Sequence, residues 1–571
     1  RDCLLSRGLG DVYKRQAIYG SRGSNGVIMI TTKTGGKDSK NLSFNANYGF
    51  QMPGRLIETM SHDQFIDYIN SAYMNSKGTT VYNDENPAPD THTDWQRETL
   101  YGCKPVQDYS LSLDGTSGDT QYMLSGGIYL QDGLLPSSEF DKYTFRTNVQ
   151  HKFNNFLKIG THMQYSYTEA NMAELSNYQG ALNDIWRDGW PTLPVYREDG
   201  TFAVPQDNPR ISTLFGDAAY WNPVANYKEV TTKSNVSRLL GDVYAEFQLA
   251  KGLTFKTNFG LDIANKRDYN YTTSKITTST GYGKGGNGYT KKMSRLTENI
   301  LSYMNEWGDH RFTATGVYSW QNYMYETLSI SGNGFANDET GAWDMGQANR
   351  ETVEYGSDKY ENSLISWTGR VTYAYKDRYL LTATARYDGS SRFGENNKWG
   401  FFPGVSAGWN ITEEQFWKDS NVSDLISTFK PRLSYGVNGN VNGLGNYTVY
   451  GEYATTKPYG GETGIYNSAL VNTGLRWEQS QSFEAGLDIG FFNNRLSFIL
   501  DYYNRKTKDL LTDLALPGYT GFDKIATNLG TLRNSGFEAE VRANIINKGG
   551  FTWDMTCLLY TSPSPRDKRQ S

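Results

Sequence analysis

The side chains best suited to catalysis or metal binding are few and scattered. Five histidines, His62, His92, His151, His162 and His310, are all that 571 residues contain. None forms a close pair at metal-ligand spacing. His151 and His162 flank a turn predicted at 154–155 and read as rim histidines facing each other across it, rather than as a zinc site. Gly281-Tyr282-Gly283-Lys284-Gly285-Gly286 fits the glycine spacing of a dinucleotide loop, but no helix pattern follows, so it reads as a flexible loop. Gly404-Val405-Ser406-Ala407-Gly408 has the spacing G-x-S-x-G, but it lies within the strand expected near 401 and not at a strand-to-helix turn, so it is no nucleophile elbow, and no D-x-[DN]-x-[DN]-G calcium loop occurs. No catalytic residue, cofactor-binding residue or metal ligand is assigned, and no cofactor is expected.

Composition narrows the class. Hydrophobic residues make up only 37%, yet aromatics reach 14%, with 42 Tyr, 13 Trp and 59 Gly. Disordered chains are poor in aromatics. No apolar run approaches the roughly 20 residues of a membrane-spanning helix. A net charge of −5 argues against a nucleic-acid partner.

Both ends resemble translated sequencing adapter. Asp11-Val12-Tyr13-Lys14-Arg15-Gln16 back-translates to GAT GTG TAT AAG AGA CAG, and the complementary strand encodes Cys557-Leu558-Leu559-Tyr560-Thr561-Ser562. Residues 1–16 and 557–571 are therefore set aside from fold reasoning as non-native. Each carries a net +2, so the remainder falls from −5 to −9. Cys103 is then the only cysteine left, and no internal disulfide is possible.

The body alternates apolar and polar residues with the period of two that marks strands. Ile365, Trp367, Gly369, Val371, Tyr373 and Tyr375 take one face, while Ser366, Thr368, Arg370, Thr372 and Ala374 take the other. Phe483, Ala485, Leu487, Ile489 and Phe491 alternate with Glu484, Gly486, Asp488 and Gly490. About seventeen such strands are predicted, near 42, 105, 120, 142, 156, 236, 253, 297, 309, 363, 378, 401, 428, 477, 495, 535 and 551. Most are expected to run roughly 9–13 residues, near the length of a tilted strand crossing a bilayer.

Short and long connections fall in turn. Short ones lie near 116–119, 154–155, 250–252, 307–308, 377, 493–494 and 547–550. Long ones cover 51–104, 169–235, 267–296, 321–362, 439–476 and 508–534, with 132–141 and 389–400 of middling length. An up-and-down barrel with tight turns at one rim and elaborated loops at the other produces this order. A soluble β-sandwich or propeller is the plainer reading, but it does not explain the order, and no propeller-length repeat occurs. Tyr143, Tyr165, Tyr167, Trp367, Tyr375, Tyr387 and Trp409 sit at strand ends, where amphipathic rings suit membrane interfaces. Two helices are expected: one from the capping box Ser61-His62-Asp63-Gln64, with Phe65, Ile66, Ile69 and Tyr73 on one face, and one from Thr412-Glu413-Glu414-Gln415. Packing on the rim is the expected role of both.

Ala17-Ile18-Tyr19-Gly20-Ser21-Arg22-Gly23-Ser24-Asn25-Gly26-Val27-Ile28-Met29-Ile30 resembles the end of the plug domain in SusC/RagA-type, TonB-dependent outer-membrane transporters. The plug-end motif is Tyr19, Gly20, Ser21, Arg22, Gly23, Asn25 and Gly26. Arg386-Tyr387-Asp388-Gly389-Ser390-Ser391-Arg392-Phe393-Gly394, followed by Trp399-Gly400-Phe401-Phe402-Pro403, resembles the same family, as does Asn534-Ser535-Gly536-Phe537-Glu538. The resemblance covers essentially all of 17–556.

It implies an all-β fold: a transmembrane antiparallel up-and-down β-barrel, partial at about 17 of an expected 22 strands. Residues 17–38 would close an N-terminal plug and 39–556 would form the barrel wall with long extracellular loops. The resemblance further implies TonB-dependent import of oligosaccharides or oligopeptides across the outer membrane, with a SusD-like lipoprotein as lid, TonB as energy source and no enzymatic step. Arg370, Arg386, Glu484, Asp488 and Asp501 would face the lumen. The alternative is a passive porin or adhesin-type barrel, which the plug-end motif argues against because a passive pore needs no plug. An outer-membrane hydrolase is a further rival.

Overall fold

The computed structural model describes residues 40–172, 189–207, 222–276, 282–455, 458–460, 462–548 and 550–560. One sheet of seventeen strands dominates it. The first thirteen are β1 (Lys40–Gln51), β2 (Lys104–Ser117), β3 (Thr120–Asp132), β4 (Glu139–Lys152), β5 (Leu157–Asn171), β6 (Val230–Ala250), β7 (Leu253–Thr272), β8 (Gly283–Trp307), β9 (His310–Phe335), β10 (Glu354–Tyr375), β11 (Tyr379–Ser390), β12 (Trp399–Trp409) and β13 (Ile426–Asn440). Small loop strands β14 (Glu452–Ala454), β15 (Pro458–Tyr459), β16 (Glu462–Thr463) and β17 (Tyr466–Ala469) follow. The sheet resumes with β18 (Glu478–Phe491) and β19 (Leu496–Lys508). After a loop hairpin of β20 (Leu511–Ala515) and β21 (Lys524–Asn528), it ends with β22 (Thr531–Lys548) and β23 (Phe551–Tyr560).

Each sheet strand pairs antiparallel with its neighbours in chain order, so the topology is purely up-and-down. β1 and β23 pair on one side only, and the sheet is unclosed. All seventeen predicted strands are present. Cys557–Tyr560, in the tail that resembles adapter, continue β23 opposite Glu538–Val541.

The two faces differ in chemistry. Leu301, Val371, Leu381, Val405, Leu433 and Phe537 are exposed on one face and form an apolar band that runs across β8–β22. Aromatic rings mark its borders. Near the tight turns, Trp307, His310, Tyr375, Tyr379 and Trp409 form an unbroken chain of ring contacts across β8–β12, with centroids 4.8 to 6.4 Å apart. Eight residues up β10, Trp367 packs on Tyr318 at 4.6 Å, and next to it Tyr387 stacks on Trp399 at 4.9 Å. That separation is about 26 Å along the strand, which a tilt of about 40° projects to about 20 Å of height, of the order of an outer-membrane apolar band of about 25 Å.

Three expectations need correction. First, strands reach 26 residues, not 9–13. β7–β10 continue past the apolar band, converting much of the loops expected at 267–296 and 321–362 into paired strand. The stretch Glu354–Ser363 has no apolar alternation to betray it. Its ladder bonds to β9 hold it extended. Second, Gly283–Gly286 lie in β8 and are not a flexible loop. A side chain at Gly285 would strike Tyr271 and Ala342, so the glycines serve close packing (Gly281 lies outside the described residues). Third, the alternation of connection lengths has an exception. The turn-side link 410–425 is longer than the loop-side links 133–138 and 391–398.

The tight turns fall where predicted. Asn493 and Asn494 adopt φ of 56° and 63°, a left-handed geometry that asparagine tolerates. At the other rim the loops build cores of their own. Helix His62–Lys77 carries the full capping box on Ser61 and Gln64. It buries Phe65 and Ile69 with Trp95, Trp190, Leu193 and Val224 from two long loops. The second expected helix is a single turn, Gln415–Lys418, at whose N-terminus Glu414 does not cap.

Candidate functional site

The face opposite the apolar band is where the charges lie. Directly paired residues of an antiparallel sheet share a face. The register links Ser366 to Asp388 and Thr368 to Arg386 across β10–β11. It links Ser434 to Glu484 across β13–β18, and Arg432, Gly486, Asp501 and Glu538 form one row across four strands.

Two buried ion networks result. In the first, Arg386 Nε donates to Asp388 Oδ1 at 2.7 Å and its Nη2 donates to Ser366 Oγ at 2.9 Å. Asp388 is fully enclosed, with no exposed surface. In the second, Arg432 Nη2 donates to Asp488 Oδ1 at 2.7 Å and to Asp501 Oδ1 at 3.0 Å. Ser434 Oγ donates to Glu484 Oε2 at 3.2 Å beside it. Glu540 and Arg542 form another pair on β22. Charges withdrawn from water persist where a partner and further hydrogen bonds replace hydration, and each of these networks supplies both.

Arg370 differs. It lies on the same face of β10, but among the described residues no hydrogen bond or ion pair engages it, and its buried Nε has no partner. It borders a trough in the wall of about 70 Å³, shared with Thr384, Ser406, Asn438, Ser482 and Glu484.

The five charged residues expected on the polar face are thus on one face, and four of them sit in ion or hydrogen-bond networks. Sequence reasoning missed Arg432, the cation that gathers Asp488 and Asp501. Its period-two position on β13 opposite two acidic strands was the available signal. The plug-end motif, Tyr19, Gly20, Ser21, Arg22, Gly23, Asn25 and Gly26, lies outside the described residues. His151 and His162 do not face each other. His151 pairs with Ile159 on the apolar face and His162 with Asn148 on the polar one, because the turn puts them on opposite parities. His162 instead contacts Asp242 at 3.1 Å, and His151 contacts Thr120 at 2.7 Å. Two histidines distant in sequence, His62 and His92, do meet, with rings 4.2 Å apart in the loop region.

A family model described as "TonB dependent receptor-like, beta-barrel" matches residues 186–569. The chain belongs to the TonB-dependent receptor β-barrel family. It is 31% identical over 548 residues to TonB-dependent receptor P3 of Formosa agariphila, covering 94% of this chain and 52% of that receptor. It is 30% identical over 576 residues to TonB-dependent receptor SusC of Bacteroides thetaiotaomicron, covering 95% of this chain and 54% of SusC. This receptor chain therefore spans about half the length of the curated relatives it matches. Its fold is like that of the RagAB peptide importer in the "open-open" state, with a TM-score of 0.79 at 24% identity over 96% of this chain and 63% of that one. Both likenesses are consistent with the SusC/RagA group of TonB-dependent receptors. An open, seventeen-strand up-and-down wall with one apolar face is what membership in a barrel family requires of a partial circumference.

Proposed function

We propose that these strands form the wall of an outer-membrane importer for large nutrients, oligosaccharides or oligopeptides. The apolar band contacts lipid and the charged face lines the lumen, where Arg370, Arg386, Glu484, Asp488 and Asp501 stand. The loop rim is extracellular and receives cargo together with a SusD-like lipoprotein lid. Force delivered by TonB to the plug, whose last segment is 17–38, opens the path. No chemical step occurs at the wall. Its work is to exclude lipid, hold shape and offer polar contacts. One observation carries the reading: a single sheet separates an exposed apolar face from a face whose charges are drawn into ion and hydrogen-bond networks, Arg370 excepted.

The test uses the full-length protein in planar bilayers and in cells. Deletion of 17–38 is expected to convert a closed wall into a conducting pore and to abolish energised uptake of a labelled oligosaccharide or peptide. A passive porin would conduct before the deletion, and its uptake would ignore collapse of the proton-motive force.

A further inference from the structure

The guanidinium of Arg370 stands apart from every other arginine described on the polar face of β10–β22. Arg386, Arg432, Arg505 and Arg542 each hold a partner in the wall. The register explains what surrounds Arg370. It pairs with Thr384, Thr384 with Gly404, Gly404 with Gly436, Gly436 with Ser482, and Ser482 with Arg505. One row across six strands therefore carries a cation at each end and small or hydroxyl residues between. The ends are five strand spacings apart, about 24 Å. The two central glycines leave the trough its floor. Arg505 is turned toward Ser480, with Nε 2.6 Å from Oγ, so among the described residues Arg370 is the cation of this row that no partner engages.

We propose that this trough is a carboxylate-binding subsite, and that the cargo of the importer includes molecules bearing a carboxylate. The inference rests on the importer reading above and adds a substrate class to it. A planar guanidinium fork matches a carboxylate by two parallel hydrogen bonds. The hydroxyls of Thr384 and Ser482 line the same space as neutral donors. About 70 Å³ of free volume is close to that of two water molecules, enough for one carboxylate group. Glu484 on the opposite bank repels a dianion more than a monoanion, which selects against phosphate.

Calorimetric titration of the purified full-length protein tests this with paired probes. Trigalacturonate is compared with its methyl ester, and trialanine with its C-terminal amide. Binding at least tenfold tighter for one charged probe than for its neutral mate is expected, and the arm that responds tells sugar acid from peptide terminus. Arg370→Gln should erase that preference while leaving the neutral mate unchanged. Arg370→Lys, which keeps the charge but not the fork, should retain only part of it and serves if the glutamine variant does not fold. The subsite is overturned if the wild type shows no preference for charge, or if either variant retains the full preference. It is also overturned if Arg370→Gln lowers the melting temperature of a wild type that ignores all four probes, since a carboxylate of the protein itself would then hold the arginine. Energised uptake of a neutral oligosaccharide is followed in parallel. Its absence in the wild type would sink the importer reading and leave the calorimetric comparison standing.

Discussion

Arg432 reaches over the bare backbone of Gly486 to Asp501, two strands away, with Nη2 3.0 Å from Oδ1. A Cβ at position 486 would lie 2.3 Å from that oxygen and 2.8 Å from the guanidinium carbon. Gly486→Ala should therefore separate the pair and destabilise the wall by about 1–3 kcal/mol, the range for overpacking a tight site. Arg432→Met should cost more, up to about 3–5 kcal/mol, because buried Asp501 would be left beside half-buried Asp488 with no cation between them. Urea unfolding of the detergent-solubilised protein, followed by loss of compact migration on unheated gels, measures both. Equal stability of Arg432→Met and wild type would refute the argument.

Glu414 ties the 410–425 link to the aromatic border. Hydrogen bonds from Tyr379 and Trp409 hold its carboxyl below the ordinary glutamate value of 4.5, burial opposes them, and Arg378 adds to them. A lowered value means the carboxylate form is favoured by the fold. The stabilisation is present above pH 4.5 and drains away as pH falls through the lowered value. Protection of the Gln415–Lys418 amides, taken relative to their intrinsic exchange rates, should hold at pH 4.5 and above and fall as acidification passes the lowered value. In Glu414→Gln that protection should be low and independent of pH.

Trp477 closes the core beneath the 391–398 and 441–477 loops. It is 3% exposed, donates from Nε1 to Lys398 O at 3.0 Å and meets Phe402 edge-on at 5.4 Å. Trp477→Ala should cost about 3–5 kcal/mol of local stability. Limited proteolysis should then cut the 441–477 loop while the strands of the wall stay intact, since Phe393, Leu475 and Val449 depend on the same core.

A charge on the apolar band should be expensive where a charge on the other face is not. Val371→Arg, midway between the aromatic borders at Trp367 and Tyr375, is expected to lose about 2–4 kcal/mol in lipid. Thr372→Arg, one residue along, turns the same charge to the opposite face and should lose far less. Refolding yields into lipid vesicles separate the two, and similar yields would contradict the assignment of faces.

The wall was legible in the sequence because its rule is local. Alternation in Ile365–Tyr375 and Phe483–Phe491 states which side chains share a face without knowledge of the partner strand. Turn residues such as Asn493 and Asn494 mark where direction reverses. The upper halves of β8–β10 were not legible. Lys284–Tyr289 and Glu354–Ser363 are polar on both faces outside the band, and only the neighbouring ladder makes them strands. The Arg432 network was hidden for a different reason. Its partners Asp488 and Asp501 lie beyond the long 441–477 excursion, so the contact depends on register between distant segments. That no described residue partners Arg370 is likewise a property of what its neighbours lack, which no single strand records.

β8 and β9 run 25 and 26 residues without a break, bonded to each other over nearly their whole length. A ladder of that kind flexes gently but has no joint. This side of the wall is therefore a parapet of fixed height, and a change of shape at the loop rim has to come from the loops and not from these two strands.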